Sequence, residues 1–169
     1  PQEIETVLQQ PSFLVAADGA AGVFSMLPSS TAERAWSRLV CVVSDADGGD
    51  GIHEAVERGK PIFLHAHGDN IADWSSLLEY ASEAATPSPL ILTHQTNSSI
   101  DGMSNPGGFT DGDRAACIVR SIGVPVESIS MLGTRTDAVG RWSGITDESA
   151  KLEKLKWMSK VLKILEIKF

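Results

Sequence analysis

Cysteine is scarce in this chain: Cys41 and Cys117 are the two among 169 residues. Cys41 sits in an apolar run and Cys117 in an amphipathic one, so both read as small core residues. A bridge between them has no support in the spacing, and two isolated cysteines fit a reducing, cytoplasmic setting better than a disulfide scaffold. Long apolar runs are missing as well, and the opening Pro1-Gln2-Glu3-Ile4-Glu5 has neither a basic segment nor an apolar one after it. No membrane span and no secretory leader is therefore expected. The chain also lacks a starting Met, which reads as an N-terminal trim. Positive charge is in short supply, 14 Lys+Arg against 22 Asp+Glu, for a net charge of −8. Nucleic-acid binding needs a basic face that releases counterions, so no nucleic-acid partner is expected. An anionic substrate would meet a repulsive surface unless a bound metal reversed the local field.

What remains is ordinary globular material, 42% hydrophobic and 21% charged, with no internal repeat and enough length for one α/β domain over residues 1–169. Three short apolar runs each stop at an Asp-bearing loop. Phe13-Leu14-Val15-Ala16-Ala17 leads to Asp18-Gly19-Ala20, Leu39-Val40-Cys41-Val42-Val43 to Ser44-Asp45-Ala46-Asp47-Gly48, and Pro61-Ile62-Phe63-Leu64 to His65-Ala66-His67-Gly68-Asp69-Asn70. Helix signals follow each loop: 20–27 stopped by Pro28, 52–58 closed by Gly59, and a helix after the N-cap Asn70 whose Trp74, Leu77, Leu78 and Ala81 share a face. Leu90-Ile91-Leu92-Thr93 predicts a fourth strand that delivers His94 and Gln95 to the same edge. The aperiodic stretch 96–110 reads as a functional loop, 111–122 as a helix, and Ser128-Ile129-Ser130-Met131-Leu132 as a fifth strand. A polar loop follows over 134–144, carrying Arg135, Asp137 and Arg141. The chain closes with a helix over 151–167. Its Leu155, Met158, Leu162, Leu165 and Phe169 form an apolar stripe, suited to a homodimer interface as readily as to the core, and Lys156, Lys160 and Lys163 read as its solvated face. Strand, loop and helix alternate as in a doubly wound, mostly parallel sheet, where ligands bind at the carboxyl edge.

Asp45 and Asp47 are two residues apart in turning chain, so both carboxylates can reach one cation, and Gly48 allows close backbone approach. Asp69 is the candidate third carboxylate for Mg2+, with His65 and His67 orienting loops or contacting phosphate. The same His65-Ala66-His67-Gly68-Asp69 string suits a zinc or di-metal hydrolase, with His94 as a further ligand. Asp18 and Gly19 open a helix where free N–H groups favour an anion. Asn105-Pro106-Gly107-Gly108-Phe109-Thr110-Asp111-Gly112-Asp113-Arg114 joins close-approach glycines to a capping Thr110. Its Asp111 and Asp113 suit a donor-rich ring or a metal-bound water, and its Arg114 suits a phosphate.

These strings together resemble the archaeal 6-hydroxymethyl-7,8-dihydropterin pyrophosphokinase family, from about Phe13 to the last helix. His65-Ala66-His67-Gly68-Asp69-Asn70 and Gly107-Gly108-Phe109-Thr110-Asp111-Gly112-Asp113-Arg114 carry the likeness most specifically. That family is in turn similar in pattern to thiamin pyrophosphokinases, whose catalytic domain supplies the expected fold. The resemblance places Asp45 and Asp47 where the thiamin enzymes hold magnesium. It leaves the third ligand open between Asp69 and Asp111, with Asp69 preferred because chain order is then kept.

The resemblance implies Mg-dependent transfer of diphosphate from ATP to the hydroxymethyl group of a reduced pterin, releasing AMP. Positioning does most of that work, which fits the lack of a nucleophilic triad. Expected metal ligands are Asp45, Asp47 and Asp69. ATP is assigned to Asp18, Gly19, Gly48, His67, Asn70, Gly107, Gly108, Thr110 and Arg114, with Arg135 or Arg141 as further phosphate cations. The pterin is assigned to Gln95, Asn105, Asp111 and Asp113. The competing expectations are the metal hydrolase centred on His65, His67 and Asp69, and a non-catalytic nucleotide- or pterin-binding module.

Overall fold

The computed structural model describes residues 1–138 and 148–169; Arg141 and most of the expected polar loop that carries it lie outside them. Four strands, β1 (Leu14–Ala17), β2 (Leu39–Ser44), β3 (Ile62–Ala66) and β4 (Leu90–His94), form one sheet in the order β1-β2-β3-β4. Every pair is parallel, with Ala17 opposite Val43, Ser44 opposite Leu64 and Ala66 opposite His94. All four carboxyl ends therefore lie along one edge.

Short apolar strands need cover on both faces, and helices supply it. Around the sheet run α1 (Gln2–Val7), a 3₁₀ stretch (Asp18–Met26), α2 (Ser29–Arg38), α3 (Gly49–Glu57) and α4 (Ile71–Glu83). One core joins Ala16, Val42, Ile62 and Leu64 of the strands to Phe24, Trp36, Ile52 and Leu77 of these elements. The opposite face, carrying Val15, Val43 and Phe63, is covered by Ala115 and Ile118 of α5 (Asp111–Ser121). Both faces are thus covered, but strand order follows chain order, so the described sheet has no reversal point. The last helix, α6 (Glu148–Ile164), packs on α5: Leu155, Met158 and Leu162 are buried with Ala116.

Several expectations shift. Residues 20–26 form part of a long 3₁₀ stretch rather than an α-helix, with Leu27 extended after it; Gly19 and Gly22 are buried there, under α3. Leu78 is 41% exposed while Trp74, Leu77 and Ala81 face the core. The segment 128–132 is not a strand. A 3₁₀ turn at Val126–Ser128 takes in its first residue, and Ile129 and Met131 satisfy their alternating apolarity by packing against α6. The apolar stripe of α6 serves this second core, with Phe169 left 45% exposed. Between β4 and α5 the aperiodic loop turns back along the sheet. Ser104 donates to Leu92 O at 3.0 Å and accepts from His94 N at 2.9 Å. No helix among the described residues is long and apolar enough to cross a membrane.

A Cβ on Gly51 would lie 2.5 Å from Gly19 O and 2.8 Å from Gly22 N, both backbone atoms. Alanine is the better helix former by ~1 kcal/mol, yet here Gly51→Ala should destabilise by about 1–3 kcal/mol because α3 must move off the 3₁₀ stretch. Denaturant titration gives the sign; a stabilised variant would contradict the packing.

Candidate active site

Carboxylates from two neighbouring strand ends meet at the carboxyl edge. Asp18 follows β1 directly, and Asp45 and Asp47 follow β2; one oxygen from each lies within 4.8 Å of the others. This is the metal-capable acidic group found among the described residues. It forms because the β2 loop is pressed against the start of the 3₁₀ stretch. A Cβ on Gly48 would fall 2.8 Å from both Asp18 Oδ1 and Gly19 N, so Gly48 admits Asp18 itself. Backbone strain accompanies the approach: Asp18 has φ +51° and Ala46 φ +87°, a region that alanine seldom occupies.

Hydrogen bonds hold the cluster. Ser44 Oγ donates to Asp18 Oδ1 (3.0 Å) and accepts from Ala46 N (3.0 Å). His67 Nε2 meets Asp45 Oδ2 at 2.8 Å, and its Nδ1 pairs with Asp69. Asn70, 6% exposed, donates through Nδ2 to both Asp45 O and His65 O at 2.8 Å, and Trp74 Nε1 also reaches His65 O. The expected N-cap does stand before α4, but its amide is spent tying the β2 and β3 loops together.

Proton affinities follow the crowding. Burial, reinforced by the Asp47 and Asp111 charges, pushes Asp18 up to about 8. Burial and the neighbouring Asp45 raise Asp47. Burial also acts to raise Asp45, but hydrogen bonds from Asp47 and His67 outweigh it and leave Asp45 lowered. Asp111, at the start of α5, rises to about 6 through burial and the Asp45 charge, with Arg114 opposing. Asp45 Oδ1 is buried without a hydrogen-bond partner.

The cluster forms one wall of a polar cavity of about 450 Å³, whose other walls include His67, Gln95, Phe109, Thr110, Asp111 and Arg114. Asp69, Asn70 and Asp73 also line it, as do Lys151 and Lys154 of α6. A smaller hollow of about 240 Å³ between Phe24, Trp36 and Arg58 lies away from the strand ends. Arg58 there is already paired with Glu33 and Glu54.

The residues read as candidates divide accordingly. Asp69 does not join the convergent trio; its side chain is 85% exposed and it holds His67 instead. Asp18, read as part of an anion and ATP site, does join it. Arg114 is buried and its Nη1 pairs with Asp111 Oδ1 at 3.1 Å, which leaves its Nε without a partner. Asp113 is wholly buried and accepts from Phe109 N, Thr110 N and Thr110 Oγ1, capping α5 rather than facing the cavity. Asn105 braces the long loop through Thr96 O and Gly107 N. Gly107 and Gly108 have φ +84° and +90°, and a Cβ on Gly108 would strike the Arg114 backbone at 2.5 Å, so this pair seats the loop on α5. Gly19 is buried beside Gly48. Arg135 pairs with Asp137 on the surface.

The hydrolase set does not converge. His65 Nδ1 bonds Thr93 Oγ1 (3.0 Å), and burial, aided by the Arg114 charge, lowers it to about 4. His94 Nδ1 is engaged by Thr96, and the His65 and His67 rings stand 6.3 Å apart. Sequence reasoning missed Lys151 and Lys154 in the cavity. Their signal was weak: two lysines three apart near the start of the closing helix.

Fold and site together define a parallel α/β protein with a carboxylate-centred polar cavity at the carboxyl edge of its sheet. Its relatives are more specific. The chain is 32% identical over 134 residues to 6-hydroxymethyl-7,8-dihydropterin pyrophosphokinase of Pyrococcus furiosus, covering 74% of this chain and 53% of that protein. It is 32% identical over 123 residues to the protein of the same name from Methanothermobacter thermautotrophicus, covering 69% of this chain and 44% of the relative. The resemblance seen in the motifs is thereby shown, and the chain spans about half the length of these archaeal homologues. No family model and no solved structure matches it.

Without a cation, the fold keeps a proton on Asp18 up to about pH 8, whereas the unfolded chain releases it near 3.8. The folded state binds the extra proton between those values, so the stability it confers is lost as pH rises toward 8. In chelator, the melting temperature should fall between about pH 5 and 8. Asp18→Asn should flatten that fall and raise melting at pH 8 by about 4–8 °C, the effect of roughly 2 kcal/mol in a domain of this size. Parallel profiles for the two proteins would contradict the crowding.

Proposed function

We propose that this chain is the catalytic α/β domain of a 6-hydroxymethyl-7,8-dihydropterin pyrophosphokinase, arranged like that of thiamin pyrophosphokinases. It would move diphosphate from ATP to the pterin hydroxymethyl group and release AMP. The observation that carries this reading is the convergence of Asp18, Asp45 and Asp47 in a polar cavity, in a chain whose homologues bear that enzyme's name.

Mg2+ fits the donor set. Three hard carboxylate oxygens within 4.8 Å, one atom of Asp45 buried and unpartnered, and a proton retained on Asp18 by burial and by the neighbouring Asp47 and Asp111 charges are what a divalent cation relieves. In this reading Asp18 replaces Asp69 as third ligand. When bound, the ion would neutralise phosphate charge and align the transferring group.

The remaining work falls to the chain's own residues. His67, held by Asp69, fixes the orientation of Asp45. Asn70 and Trp74 keep the two loops in register, so the carboxylates need no rearrangement when substrate arrives. The hydroxymethyl oxygen attacks the β-phosphorus and loses its proton to solvent, the bond from that phosphorus to the α,β-bridging oxygen breaks, and AMP departs carrying that oxygen. Gln95 and Asp111 line the cavity and offer acceptors for the amino and ring N–H groups of a pterin. Asn105 and Asp113 drop from that role because loop and cap hydrogen bonds occupy them.

With ATP, Mg2+ and the reduced hydroxymethylpterin, the chain should release AMP. Asp45→Asn and Asp47→Asn should each slow release by roughly a hundredfold or more. Asp69→Asn, acting through His67, should cost about tenfold. Near-normal AMP formation in both of the first two variants would overturn the assignment.

A further inference from the structure

The cavity poses a charge problem that its carboxylates cannot solve. Six of them, Asp18, Asp45, Asp47, Asp69, Asp73 and Asp111, line it on a chain of net charge −8, and its arginine, Arg114, is already paired with Asp111. A polyphosphate entering there needs cations beyond one divalent ion.

Helix α6 brings them. Lys151 and Lys154 are three apart and share one face, and both line the cavity. Lys151 is close enough to lower the proton affinity of both Asp47 and Asp111. Other lysines of the same helix are occupied: Lys156 pairs with Glu153 at 2.8 Å, and Lys160 Nζ sits 3.7 Å from the centre of the Trp157 ring. Among the described residues neither Lys151 nor Lys154 makes an ion pair. The helix is a firm platform, since Leu155, Met158 and Leu162 bury against Ala116 of α5. We propose that α6 is the anion-binding wall of the cavity, and that Lys151 and Lys154 hold the polyphosphate of the nucleotide co-substrate beside the carboxylate trio. This assignment rests on the pyrophosphokinase reading and names the part of the site that binds ATP.

The test uses the full chain and two probes with Mg2+. One is α,β-methylene ATP, in which a P–C bond replaces the bond that the reaction breaks; the other is inorganic tripolyphosphate. Binding is followed by calorimetry and, as a secondary signal, by tryptophan emission, since the Trp157 ring lies 5.9 Å from that of the cavity residue Phe109. Lys151→Met and Lys154→Met should each weaken both probes by about tenfold, and the double variant by about a hundredfold. Lys→Arg at either position should recover most of the loss. In turnover, KM for ATP should rise with KM for the pterin unchanged, and helical circular dichroism and melting should match the parent. Lys163→Met, which removes the same charge from an exposed site, is the control for the general field. A double variant that binds within about twofold of the parent, or no more weakly than the Lys163 control, overturns the proposal. If the parent binds tripolyphosphate through these lysines yet forms no AMP, the pyrophosphokinase reading falls and the lysine assignment stands. A parent that binds neither probe overturns it.

Discussion

Three acidic side chains held within one small volume set the terms for the rest of this structure. Like charges in a half-buried site repel, and the fold answers by giving them hydrogen bonds and by keeping protons. Ser44 serves Asp18, His67 serves Asp45, and Asn70 ties down the backbone of Asp45. The chain accepts a left-handed Ala46 and requires a bare Gly48 to bring the loops so close. Strain of this kind, about 1–3 kcal/mol per residue, persists only where the surroundings over-determine it. Here the surroundings are the buried strands Val42, Val43, Ile62 and Leu64, all fully inaccessible.

The architecture explains why this edge carries the site. With strand order following chain order, the 3₁₀ stretch, α2, α3 and α4 cover one face, and α5 must return across the sheet to cover the other. That return needs the long loop between β4 and α5, and the loop brings Phe109, Thr110 and Asp111 to the strand ends as α5 begins. The capping box of Thr110 and Asp113 sets where α5 starts, and so aims Asp111 and Arg114 at the cavity. α6 then packs on α5 and adds Lys151 and Lys154 to the cavity lining. Cap, return loop and final helix are therefore structural and site-forming at once.

Much of this was legible in the residues. Apolar runs ending in Asp marked β1 and β2, and the Asp45-Ala46-Asp47-Gly48 loop announced a carboxylate pair. What escaped was depth. Asp18 and Asp69 both follow a strand, but Asp18 lies beneath the β2 loop while Asp69 is carried past the β3 end into solvent. Spacing along the chain does not tell those two apart. Nor could it show that Asp113, in an attractive Gly-Asp-Arg string, is consumed by its own helix cap. α2 was missed because its buried Ala35 and Trp36 are adjacent rather than periodic. The segment 128–132 alternates like a strand, yet it meets a helix rather than a sheet edge. Lys151 and Lys154 were invisible as site residues because they lie far along the chain from the cavity acids, and the packing of α6 on α5 brings them together.

The central claim, that Asp18, Asp45 and Asp47 share one divalent ion, is most directly tested by growing crystals with Mn2+ in place of Mg2+ and mapping its anomalous scattering. The account predicts one strong peak bonded to oxygens of all three carboxylates at roughly 2.0–2.3 Å. A peak seated instead on His65, His67 and Asp69, or no peak at the trio at saturating Mn2+, would contradict it.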